Sequence, residues 1–280
     1  MATGIGNTFL CRRCWTFLPA RHLLDGSLES CNGQYPTLVE VNFKGPMMAF
    51  HMPGKGTETL KNGSVLIYSG RNDGRRREGV GVVLSKKIKN SLISYALVSE
   101  RMMTVRLHSN HINTSVTVVC APTEDADDAA KDSFYQELNT VQAGLPRHDI
   151  KLVVGDFNAR VGRDFRSYPG VIGTHSFHEE CNNNGTRMLD FCLLHELTVG
   201  GTLFQHKDIH KTTWISPNGR TVSQIDHMCI SRTWSHSLLD VRTMRGADIN
   251  STHYLVRGYV QIKLRCPQKR SRKVRLPALE

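Results

Sequence analysis

A chain of 280 residues with 39% hydrophobic and 22% charged content carries enough apolar matter for one buried core and too much for a disordered chain. Its 36 Lys and Arg against 25 Asp and Glu give a formal charge of +11, which favours a polyanionic partner, nucleic acid before an anionic membrane surface. No apolar run reaches the length of a membrane span, and eight cysteines without a regular framework exclude a disulfide scaffold and suit reduced thiols.

The first 55 residues mix Cys, Met, Pro and Gly with little periodicity. Cys11 and Cys14 have zinc-knuckle spacing but no matching second pair. Arg12 and Arg13 interrupt any secretion signal, so a nuclear or cytoplasmic location is expected. Only Pro36 to Phe43 reads as a strand there. Strands are then expected at Ser64–Ser69 and Gly79–Leu84, flanking a loop whose Arg71, Arg75, Arg76 and Arg77 suit either phosphate contact or plain solvation. Two more follow at Met102–Leu107 and Ser115–Ala121, the second ended by Pro122.

The next stretch, EDADDAAKDSFYQELNTVQ, has acids in its first turns and Phe134, Leu138 and Val141 at helical spacing, which predicts an amphipathic packing helix. A short apolar run, Leu152 to Val154, then breaks at Gly155 into Asp156 and Asn158. A carboxylate at that strand end can deprotonate a water, and an amide two residues on can stabilise the oxyanion that forms. A Gly-Asp pair also closes ordinary turns. The recurring order of strand, helix and strand argues for α/β architecture.

Asn182 to Leu197 reads as a capped helix with Leu189, Leu193 and Leu197 on one face. Val199–Phe204 and Thr212–Ile215 are strand candidates, and Gln224–Ser231 is a strand carrying one acid, Asp226, which needs a partner if buried. In His253 to Leu264 apolar and polar residues alternate, as a strand with one buried face requires, and His253 stands at its start. From Lys263 to Arg275 the chain is strongly basic, which suits a nuclear address or a nucleic-acid tether.

The runs YSGRNDGRRREGVGVVLSKK, GDFNARVG, NNNGTRMLDFC, QIDH and RGADINSTHYLV, in this order, resemble the endonuclease/exonuclease/phosphatase family. The resemblance is nearest to the endonuclease domain of RTE-type non-LTR retrotransposons and to craniofacial development protein type relatives. It implies a four-layer α/β sandwich, with two mixed sheets face to face and helices outside, over residues 56–264. A divergent segment, 1–55, would precede this domain with the N-terminal strands incomplete, and a basic tail, 265–280, would follow. It further implies a DNA-nicking phosphodiesterase using Mg2+ or Mn2+. By position, Asp156 would activate the water, Asn158 would stabilise the oxyanion, His253 would bind the scissile phosphate and Asp226 would orient His253. Thr213 and Trp214 would lie near the DNA, and Glu40 is the one candidate for the expected metal-binding acid.

Three departures accompany these matches. The family's Ser-Asp-His is here Ser251-Thr252-His253, its Tyr-Ala-Pro is Cys120-Ala121-Pro122, and its opening asparagine strand is not recognisable before residue 40. A metal site with so few acids predicts weakened activity and keeps a second reading open, a catalytically silent nucleic-acid-binding domain. No reverse-transcriptase segment is expected in this chain.

Overall fold

The structure, a computed structural model, describes residues 54–72, 78–245 and 252–262, and gives residues 14–19 and 38–44 as backbone strands. Arg75, Arg76 and the tail 265–280 lie outside the described residues, as does the side chain of Glu40. In chain order the strands begin with β1 (Cys14–Pro19), β2 (Leu38–Lys44), β3 (Lys55–Thr59), β4 (Val65–Gly70), β5 (Gly79–Leu84), β6 (Leu92–Ser99), β7 (Met102–Leu107) and β8 (Thr114–Cys120). Helix α1 (Asp128–Gly144) leads to β9 (Ile150–Asp156), and helix α2 (Asn183–Leu194) leads to β10 (Leu197–Val199). A small hairpin of β11 (Trp214–Ile215) and β12 (Val222–Ser223) follows, then β13 (Asp226–Ser231), β14 (Leu238–Met244) and β15 (Leu255–Gln261).

Two mixed sheets form, in the orders β14-β15-β2-β1-β5-β4-β3 and β10-β13-β9-β8-β7-β6. Strands β8 and β9 are parallel, which requires a crossover, and α1 supplies it. Alternation along β9 sends Leu152 and Val154 to one face and Val153 to the other. The first pair meets Ile67, Val82 and Leu84 of the facing sheet, so the main core lies between the sheets. Val153 meets Phe134 and Leu138 of α1 and Met188 and Leu189 of α2 on the outside. Each such buried side chain contributes about 1.5–3 kcal/mol of transfer free energy. The expected sandwich of mixed sheets with outer helices is therefore the observed architecture, and both described helices cover the six-stranded sheet.

Differences from expectation have local causes. The segment before residue 55 supplies two strands, β1 and β2, which sit side by side within the seven-stranded sheet. Strand β6 lies on the edge of its sheet with Ile93 and Tyr95 exposed, so its sequence lacks a clean buried row. The strand expected over Val199–Phe204 stops at Val199, where Gly200 and Gly201 turn the chain into a single 3-10 turn. Helix α2 ends at Leu194, one turn early; Leu193, within it, is exposed, and Leu197 is buried in β10.

At Gly155 backbone and space both demand glycine. Its φ is +154°, and a Cβ there would sit 2.0 Å from the Val119 carbonyl oxygen of the paired strand β8. Gly155→Ala should destabilise the fold by about 3 kcal/mol, because the obstacle is backbone that cannot rotate away. Urea unfolding would measure this, and a midpoint unchanged from wild type would refute the close approach.

Candidate active site

The site is assembled at one end of the seam between the sheets. Asp156 is the last residue of β9 and continues the inward row of Leu152 and Val154 beyond the core. Asp226 opens the antiparallel strand β13 directly opposite it, and Cys120 ends β8 on its other side. Facing residues on paired strands share one face of the sheet, so two carboxylates and a thiol stand in one rung. His253 arrives from the other sheet, two residues before β15.

The His253 Nδ1 lies 3.0 Å from Asp226 Oδ2, which gives the buried acid the partner that its sequence context demanded. Ligand atoms of Asp156, Asp226 and His253 all fall within 4.8 Å of one another. The three residues are 6%, 2% and 3% exposed, and Asp226 Oδ1 has no hydrogen-bond partner. An orphaned buried carboxylate oxygen beside a second carboxylate and an imidazole is a donor set suited to a divalent cation.

The loop after β9 is held just as closely. Asn158 takes the left-handed φ of 48°, which asparagine tolerates, and its backbone N–H donates to Asp156 Oδ1 at 2.9 Å. Its side-chain amide donates to the Ala121 carbonyl at 3.0 Å, and its own carbonyl accepts from Asn182 Nδ2 at 3.0 Å. His227, buried in β13, meets the Ala159 carbonyl through Nε2 at 2.8 Å.

Thr213 is buried where a residue facing DNA was expected, whereas Trp214 borders the cleft. Thr213 is 1% exposed, and its hydroxyl accepts from the backbone N–H of Ile225 (2.9 Å) and Asp226 (3.1 Å). Its carbonyl accepts from Tyr254 N–H at 2.8 Å, so it ties the strand of Asp226 to the strand of His253 and has no side-chain surface left for DNA. Trp214 forms a β-bridge with His253, its ring edge-on at 6.5 Å between centroids, while still lining the cleft. Of Glu40, the expected metal-binding acid, only the backbone is described. It pairs in register with Tyr259, six residues along from His253, which puts its backbone about 20 Å from that histidine at ~3.3 Å per residue.

The carboxylates open into a cleft of about 1120 Å3 also lined by Glu78, Arg101, Glu124, Arg160 and Asn182. Sequence reasoning missed these, and only Asn182 had a legible signal, its place before a helix. The half-buried His178, whose Nε2 accepts the Gln224 N–H at 3.1 Å, is pushed down to about 4, first by burial and then by the nearby charge of Arg160. Burial likewise lowers His227. Both are held neutral while the unfolded chain protonates near 6.5. Their contribution is thus complete above that pH and lost as pH falls below it, for His178 toward 4 and at about 1–2 kcal/mol after solvent screening. Urea midpoints measured across this range should fall with acid, and His178→Gln should flatten the slope.

Among known sequences, a model of the endonuclease/exonuclease/phosphatase family matches residues 18–248. The chain belongs to the endonuclease/exonuclease/phosphatase family. Its relatives include craniofacial development protein 2 of Tragulus javanicus, 32% identical over 220 residues, which are 79% of this chain and 38% of that protein. The same protein of Bos taurus is 32% identical over 221 residues, 79% of this chain and 37% of that one. The chain thus spans well under half the length of these relatives. A solved member of the fold, the AP endonuclease LMAP from Leishmania major, superposes with a TM-score of 0.52 at 14% identity, covering 72% of each chain. Within the family frame, Asp156, Asn158, Asp226 and His253 are brought to one place by both sheets.

Proposed function

We propose that this chain is a divalent-metal-dependent endonuclease that nicks DNA, descended from a retrotransposon endonuclease. The observation that carries the reading is the cluster of Asp156, Asp226 and His253, with Asn158 bonded to Asp156, at the mouth of an open cleft. The ordered sequence runs quoted above support the descent.

In this mechanism Asp156, with Oδ1 held by the Asn158 N–H, takes the proton of the attacking water through its other oxygen. His253, steadied by Asp226 at Nδ1, presents its remaining ring nitrogen to the scissile phosphate. One Asn158 amide hydrogen is spent on Ala121, and the other meets the developing oxyanion. Asp156 and Asp226 would hold the cation, which supplies positive charge to the phosphate when bound. No described helix is long and apolar enough to cross a membrane.

The neutral Thr252 stands where the resemblance expects an acid beside His253. Nicking of supercoiled plasmid should therefore be faster with Mn2+ than with Mg2+, and Thr252→Asp should raise the Mg2+ rate about tenfold, equivalent to about 1.4 kcal/mol. The same added charge should lower the melting temperature without metal and restore it with metal. A wild-type protein that unfolds cooperatively, binds DNA and nicks with neither ion would instead be a nucleic-acid-binding domain without catalysis.

A further inference from the structure

We propose that Arg160 is the residue that grips the phosphate next to the scissile one on the nicked strand. The assignment rests on the endonuclease reading and deepens it. It starts from an imbalance of charge: in a protein of net charge +11, the described residues that line the cleft include Glu78, Glu100, Glu124, Glu137 and Asp156 against the arginines Arg101 and Arg160. Such a surface repels a polyanion unless some lining cation is available to it.

Arg101 is already committed. Its Nη2 is 2.7 Å from Glu78 Oε1 and its Nη1 donates to the Cys120 carbonyl at 3.1 Å, while Glu78 also accepts from Arg71 at 2.8 Å. The side chain of Arg160 makes no hydrogen bond or ion pair with any described residue and is exposed. Glu124 does not neutralise it, because that carboxylate is spent on the first amides of α2, accepting from Asn183 N–H (2.9 Å) and Asn184 N–H (3.1 Å).

The backbone of Arg160 is fixed even though its guanidinium is free. Its N–H donates to Asn182 Oδ1 at 2.8 Å, and its carbonyl accepts from the Asn182 N–H at 3.3 Å. The helix approaches so closely that a Cβ on Gly185 would lie 2.0 Å from that carbonyl oxygen. The same Asn182 holds the Asn158 carbonyl. Arg160 is thus mounted rigidly two residues from the oxyanion amide, a span of at most about 7 Å, comparable to the separation of successive phosphates on one strand. A planar fork with five donors, on a fixed backbone and without a hydrogen-bond partner among the described residues, fits a phosphodiester oxygen pair.

The test uses the full chain, a fluorescent DNA oligonucleotide in chelator, and separately bis(p-nitrophenyl) phosphate with Mn2+, a diester with no neighbouring phosphate. Arg160→Ala should weaken DNA binding about five- to tenfold and reduce the salt slope by about one, with the aryl diester rate unchanged within about twofold. Arg160→Lys should keep the slope and recover part of the affinity. Because the side chain makes no hydrogen bond or ion pair with a described residue, the melting temperature at neutral pH should stay close to the wild-type value. Unchanged affinity and slope in Arg160→Ala would overturn the assignment. An equal loss on the aryl diester would also overturn it, by moving Arg160 to the scissile phosphate. A wild-type chain that hydrolyses neither substrate but loses one unit of salt slope on substitution would sink the catalytic reading while supporting Arg160 as a phosphate contact.

Discussion

Asp156→Asn lowers the turnover of plasmid nicking about 10³- to 10⁴-fold, the expected loss when a positioned proton acceptor is removed. The amide keeps the volume of the carboxylate and can still accept the Asn158 N–H now 2.9 Å from Oδ1, so the loop geometry should survive. The substitution takes away basicity toward the attacking water together with charge at the cation site. It also removes one of two carboxylates that face each other across β9 and β13, so the melting temperature without metal should rise. Single-turnover nicking beside thermal unfolding would check both signs. A variant that nicks at the wild-type rate would remove Asp156 from the chemistry.

Asp226→Asn should cost about 10²- to 10⁴-fold in kcat/KM, because the acid fixes which nitrogen of His253 carries the proton and where the ring points. His253→Ala should lose at least as much, and the double variant should be no worse than His253→Ala alone. Residues that act as one unit are not additive. A double variant whose losses multiply would show that Asp226 acts on the substrate independently. Leaving the histidine buried without its acid should also cost stability, about 1–3 kcal/mol, measurable in urea.

The residues of the proposed catalytic set carry their own local signals in the sequence. Gly155 before Asp156 marks a strand end, a lone acid in the apolar run of Asp226 demands a partner, and His253 opens a clean alternation. The buried row on β15 follows directly from period-two patterning, whereas β9 and β13 are short apolar runs buried on both faces. What escaped notice depends on tertiary neighbours. The hydroxyl of Thr213 looks like any surface threonine in sequence, and only the meeting of three strands shows that it binds two amides. Glu40 looked like an acid in a strand, and the register alone shows how far along that strand it lies. The strands β3, β6 and β14 carry charged or exposed residues that hide their periodicity.

Because Asp156 and Asp226 form a single rung of the β9 and β13 ladder, the 69 residues between them start and finish at one point, with β10 returning to the same sheet on the way. The exposed loops of that excursion can lengthen, shorten or change sequence while the two carboxylates stay together, provided that α2 and β10 keep their packing and Asn158, Asn182 and Thr213 keep their anchors. A single residue inserted within β9 itself would instead turn Asp156 toward the helices and leave the cleft without that carboxylate. Variation in DNA preference among related chains is therefore expected to collect in the excursion and to spare the length of the strand.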